Sequence, residues 1–252
     1  TDGSQSSLTY TVTSTNAITT GTSSGSLWGT GGADGGEDDV SPANPNDIPA
    51  AFPKGYGAFY CMKYELSQRQ YCNFLNTLAF TQQTNRYDAA LHFNSSRNFI
   101  KKTSGSPALF GCDAGDDAGN ATDATAAQLN EADDGEWVAC NYLSWMDGCA
   151  YADWAALRPM TELEFEKACR GGGVGAVSNE YAWGNTILEP FTSSLDNEGT
   201  ASETPNQGNC TYQSSYSDGP YRCGSYADGT STRQNAGASF YGILELSGNL
   251  LE

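Results

Sequence analysis

Residues 141–184 read NYLSWMDGCAYADWAALRPMTELEFEKACRGGGVGAVSNEYAWG, and they decide the fold. Two helix signals lie here, joined by a tight linker and closed by a glycine run. Ser144 is placed to cap the first helix, with Asp147 three residues on, so a helix is expected over 144–157. Trp145, Cys149, Ala152 and Ala156 recur at helical spacing, which predicts one buried face. The second helix, expected over 161–170, has a full capping box. Thr161 is the N-cap and Glu164 reaches back to it, while Met160 and Phe165 are placed as a hydrophobic staple. Arg170 falls in the last turn, and Gly171 stops the helix by taking a left-handed conformation without steric cost.

Upstream, Phe59–Tyr64 (FYCMKY) reads as a strand. Ser67 and Gln70 then make a second capping box, and Tyr71, Phe74, Leu75 and Leu78 form an apolar stripe, predicting a helix over 67–78. Such a stripe is core. Near the start, Leu8, Tyr10 and Val12 alternate with threonines, a β pattern, and Leu27 with Trp28 suggests another short strand. Residues 31–50 are rich in Gly, Asp and Pro and read as a loop. Asp38 and Asp39 within it have no ligand spacing, so a solvated loop outweighs a metal site. Residues 81–140 read as an insertion with a short strand or two. Asp113, Asp116 and Asp117 do not follow the EF-hand pattern. His92, the single histidine, has no placed Cys, Ser or carboxylate partner, which removes most hydrolase triads. From 184 to 235 the chain is polar and irregular, and such a segment is usually functional or braced by a disulfide or a bound cation. The expectation is a single α+β domain over 1–252 with three short helices, short antiparallel strands and long ordered loops.

Composition bounds the function. The 252 residues carry a net charge of −18 with 12 Lys+Arg, so nucleic-acid binding, which needs a basic footprint, is excluded. No run of about twenty apolar residues spans a membrane. An acidic, lysine-poor, Ser/Thr-rich chain that begins at Thr1 reads as extracellular or cell-surface, with a leader already removed. Solubility from net charge explains much of the same composition. Eight cysteines, an even number, suit oxidising surroundings. Cys72, Cys149 and Cys169 fall in expected helices and read as small buried hydrophobes. Cys210 with Cys223 is the pair most readily bridged, and Cys112 with Cys140 is the second. No CxxC is present, which argues against structural zinc.

Several rare residues keep a family's order. They are S-W-x-D-x-x-x-Y-x-x-W from Ser144, R-P-M-T-E-x-E-F-E-x-A-x-R-G-G from Arg158, and Y-A-W-G from Tyr181. MKYELSQRQYCNFLNTL and the closing AGASFYGILELSGNLLE add two more segments, the latter similar to F-G-L-x-D-M-x-G-N-V-W-E with Leu251 in place of Trp. Together they resemble the formylglycine-generating-enzyme (sulfatase-modifying-factor) domain, a variant of the C-type-lectin fold. The resemblance implies two calcium sites. One takes carboxylates from Glu245 and Glu252 with the Gly248 and Leu250 carbonyls. The other takes the Asn197 and Asp218 side chains with the Glu198 and Pro220 carbonyls. Calcium accepts six to eight hard oxygen ligands, and turns of this kind can supply them; solvated acidic turns are the plainer reading.

The family's catalytic centre is a cysteine pair that binds copper(I) and oxidises a substrate cysteine. Those cysteines follow the G-N-x-W-E motif, and none of the eight here takes their position. The expectation is therefore a secreted, non-enzymatic, calcium-stabilised bacterial module, incomplete at both ends as a domain. It would bind a protein or glycan at the cell surface or self-assemble. The first alternative is a fragment of an active copper-dependent oxidase acting on sulfatase cysteines. The second is a calcium-dependent glycan binder, which lacks support because Glu189-Pro190 is followed by Phe191 and no E-P-N or Q-P-D triplet occurs.

Overall fold

Capping chemistry sets where the helices begin. A computed structural model describes residues 9–28, 48–89, 96–114, 124–172, 177–189, 194–212 and 219–250. Among these are four α-helices: α1 (Gln68–Leu75), α2 (Phe80–Arg86), α3 (Trp145–Trp154) and α4 (Glu162–Arg170). The strands are short: β1 (Thr20–Gly21), β2 (Leu27–Trp28), β3 (Ile100–Lys102), β4 (Phe110–Cys112), β5 (Leu195–Asp196) and β6 (Thr204–Pro205). The fold is mixed α/β. The chain divides into two compact units, Thr1–Cys61 with Met160–Ile187, and Met62–Pro159 with Leu188–Glu252.

In the first unit, Thr161 Oγ1 accepts the Glu164 N–H at 3.3 Å, and Glu164 accepts the Thr161 N–H at 3.0 Å. The expected capping box of α4 is thus formed, and Gly171, at φ 86°, closes the helix. Lys167 on α4 donates to the Gly55 carbonyl at 2.5 Å and the Gly57 carbonyl at 2.7 Å. A side chain at Gly55 would meet the Leu163 carbonyl at 3.0 Å, so the loop approaches the helix where only glycine fits. Buried Lys54 donates to the carbonyls of Pro49, Ala50 and Phe52. β1 and β2 pair in parallel, with Thr20 opposite Leu27, which departs from the all-antiparallel pairing expected.

In the second unit, Ser67 and Gln70 form the capping box of α1, which buries Tyr71, Cys72, Phe74 and Leu75. Each large apolar side chain buried in this way contributes about 1.5–3 kcal/mol. The face packs on the antiparallel β3–β4 pair, where Ile100 lies opposite Cys112. Asn76, the C-cap of α1, locks helix to strand. Its Nδ2 donates to the Phe110 carbonyl at 2.9 Å and its Oδ1 accepts the Phe110 N–H at 2.7 Å.

Four further expectations change. The described residues hold a fourth helix, α2, which FTQQTNR concealed because it has no apolar stripe and buries only Gln83. Phe59–Tyr64 is not a strand. On its second-unit side, Lys63 accepts one bond from Leu244 and Leu66 accepts one from Cys140, so no single neighbour builds a ladder. α3 ends at Trp154, so Ala156 lies beyond it; Trp145 and Ala156 are exposed, and Tyr151 is the buried residue of the helix, edge-on to Phe74. The helix is apolar on several sides, so spacing alone could not select the face. Finally, all eight cysteines are unbridged. Cys223 Sγ donates to the Glu65 carbonyl at 3.4 Å, and Cys112 adjoins Cys72. Leu8, Asp38, Asp39, His92, Asp116, Asp117, Asp218, Leu251 and Glu252 lie outside the described residues.

The polar helix α2 is docked by one side chain. Gln83 Nε2 donates to the Leu75 and Ala108 carbonyls, and its Oε1 accepts the Ala108 N–H. Gln83→Ala should cost about 1–3 kcal/mol by urea denaturation, since it strands buried backbone groups. The neighbouring Gln82→Ala, which loses only the exposed bond to the Ala79 N–H, should cost less than about 1 kcal/mol.

Candidate functional site

The segment Pro220–Tyr221–Arg222 in the second unit joins two buried polar clusters. On one side is Arg97, whose guanidinium grips Glu203 in bidentate fashion at 2.5 and 3.3 Å. Glu203 is fully buried and also accepts the Gly199 and Arg222 N–H groups, each at 2.8 Å. Its own carbonyl accepts Arg222 Nε at 2.7 Å. A buried carboxylate with this many donors is fully compensated. Arg97 also donates to the Pro220 carbonyl at 2.7 Å, lies 3.4 Å from the exposed Glu198 carboxylate, and faces the Tyr221 ring.

On the other side is Asn249. Its Oδ1 accepts the Tyr221 N–H at 2.8 Å, and its Nδ2 donates to Glu65 at 2.5 Å. The turn that delivers it is unusual. Glu245 and Asn249 have φ of 65° and 67°, and Gly248 has φ 125°. A side chain at Gly248 would meet the Thr211 carbonyl at 3.0 Å, while the Asn249 N–H donates to that same carbonyl. Non-glycine residues held left-handed cost about 1 kcal/mol or more each, and persist only where the surroundings over-determine them.

Glu245 is the chemically distinct member. Its Oε1 accepts the Gly224 N–H at 2.7 Å, while its Oε2 is buried with no hydrogen-bond partner. Burial pushes its carboxyl up to about 7, against the opposing pull of the Gly224 N–H, Glu65, the Ser225 N–H and Arg222. The Ser225 hydroxyl is likewise buried without a partner. Glu65 Oε1 is buried as well, and Glu65 can share a carboxyl proton with Glu245, so these oxygens suit a proton or a cation.

The structure places the expected ligands as follows. Glu245, Gly248 and Leu250 share one turn, in which the Gly248 carbonyl accepts the Leu250 N–H at 3.0 Å. Glu198 and Pro220 converge on Arg97. Asn197 is exposed, at φ 53°, and its carbonyl accepts from Thr200. Among the described residues no group of three or more His, Cys, Asp or Glu side chains converges as a metal cluster. Arg97, Glu203 and Glu65 were not singled out from sequence, because no periodicity marks a buried charge. Asn249 was visible in the G-N motif.

Comparison with known proteins bears on this arrangement. The sulfatase-modifying factor enzyme 1-like domain matches residues 34–252. The chain belongs to that family. The formylglycine-generating enzyme of Streptomyces coelicolor is 48% identical over 46 residues, which cover 18% of this chain and 14% of that protein. No solved structure matches. Within this sulfatase-modifying-factor-like chain, the Glu245 turn lies in the closing segment of the matched span.

Two outcomes follow. Glu203→Gln should cost about 3–5 kcal/mol in urea denaturation, because it leaves the Arg97 charge buried and uncompensated. Arg97→Met combined with Glu203→Leu should recover part of that loss. Second, the folded chain holds a proton on Glu245 that the unfolded chain releases from the ordinary value of 4.5. In chelator, the contribution of this carboxyl to stability should therefore be fully present below about pH 4.5, be lost by roughly 3 kcal/mol as pH rises to about 7, and stay lost above. Glu245→Gln should flatten this dependence.

Proposed function

We propose that this chain is a calcium-stabilised binding or structural module on a C-type-lectin-like, formylglycine-generating-enzyme-type fold, acting outside the cell. The observation that carries the reading is Glu245, whose Oε2 is buried and orphaned at the turn the family resemblance marks for calcium. A hard divalent cation would satisfy that oxygen together with the Gly248 and Leu250 carbonyls and Glu252. The other proposed ligand set fits a cation less well. The Arg97 guanidinium already donates to the Pro220 carbonyl and pairs with Glu198, and its charge would oppose an ion there.

Four of the eight thiols lend support to a non-enzymatic role. Burial pushes the Cys112, Cys140 and Cys223 thiols up, and that of Cys210 up to about 11. Copper(I) and nucleophilic chemistry both require thiolate. The partner would be a protein or glycan at the cell surface, or another copy of the chain. The alternative, a copper-dependent oxidase of sulfatase cysteines, needs a cysteine pair other than these.

Saturating calcium should raise the melting temperature by about 5 °C, and Glu245→Ala should abolish the rise. No shift in the parent chain would overturn the calcium reading. Separately, incubation with copper(I), oxygen and a cysteine-containing sulfatase peptide should leave the peptide mass unchanged. Conversion of its cysteine to an aldehyde would establish the oxidase instead.

A further inference from the structure

The core of the second unit holds thiols that neither the calcium turn nor the charge network uses. Cys72 lies on the buried face of α1 and Cys112 at the end of β4, both fully inaccessible. The helix and strand that carry them are fixed together by the paired Asn76–Phe110 hydrogen bonds, four residues along α1 from Cys72 and two along β4 from Cys112. The Cys72 thiol adjoins that of Cys112. Cys140, 4% exposed, belongs to the same apolar cluster.

We propose that Cys72 and Cys112 are joined by a disulfide when the chain folds in an oxidising environment, making α1 and β4 a covalent staple. The docking bonds of Asn76 fix the register of helix and strand that sets the two positions side by side in the folded chain. A buried thiol pair in an apolar core has no solvent access, so the exchange takes place before α1 docks, with a disulfide such as oxidised glutathione as the oxidant. One protein thiolate attacks a glutathione sulfur, forming a mixed disulfide and releasing one glutathione thiolate, which takes up a proton. The second protein thiolate then attacks the protein sulfur of that mixed disulfide and releases the second glutathione. Two protein thiols are oxidised and one glutathione disulfide is reduced to two thiols. The bridge closes a loop of about 40 residues that includes α2 and the β3–β4 pair, and such a loop removes substantial entropy from the unfolded chain.

The test is peptide mapping of the full chain produced in an oxidising compartment and alkylated under denaturing conditions before any reduction. The expected result is a cross-linked peptide containing Cys72 and Cys112, about 2 Da lighter than the sum of its two reduced halves. Reduction should lower the melting temperature by about 5 °C or more, and Cys72→Ala should leave Cys112 alkylated. Recovery of Cys72 and Cys112 both alkylated, or of Cys112 linked to Cys140, would overturn the proposal.

Discussion

The ion pair between Arg97 and Glu203 is the constraint on which the second unit depends. Both side chains are buried, and neither charge can stay in the interior without the other. Their pairing has geometric consequences. Glu203 draws in the Gly199 and Arg222 N–H groups, and Arg97 draws in the Pro220 carbonyl, so three stretches distant in sequence converge on one carboxylate and one guanidinium. Gly219 is required there, because a side chain would collide with the Ser96 carbonyl. With few strands and long irregular segments, this unit is organised by buried polar contacts as much as by its apolar core. That is costly in desolvation but specific in geometry.

Tyr221 passes this order on to the closing turn. Its N–H is taken by Asn249, whose amide also reaches Glu65. The left-handed residues Glu245 and Asn249 are thereby held in place and Glu245 is turned inward, where burial raises its carboxyl. A carboxyl poised near 7 with one unused oxygen is an unstable compromise between keeping a proton and accepting a cation. Calcium would resolve it by replacing the proton with a stronger hard acid.

Much of this was legible in the sequence where the signal is local. The capping boxes at Ser67, Ser144 and Thr161 each depend on residues three apart and all form, because nothing distant competes with them. Helix α2 was missed because its docking uses a glutamine, which leaves no hydrophobic period. The buried face of α3 was misplaced because WMDGCAYADW is apolar on several sides, and the ring contacts of Phe74 with Tyr151 and Trp154 select the face. Of the candidate site, the motif turn at Gly248–Asn249 could be read directly. Arg97 and Glu203, separated by about a hundred positions, could not, since a buried ion pair is a long-range event with no local signature.

The cysteines show the same division. Sequence spacing suggested Cys210 with Cys223, whereas packing places Cys72 against Cys112, because the α1–β4 contact is set by apolar burial. In the proposed function calcium completes the Glu245 turn, and amide hydrogen exchange of the full chain, with calcium and with chelator, is the direct test. Exchange at the Gly224 and Ser225 amides and across 245–250 should slow by about tenfold or more with calcium, with α4 unchanged. Equal rates across these residues in the two conditions would contradict it.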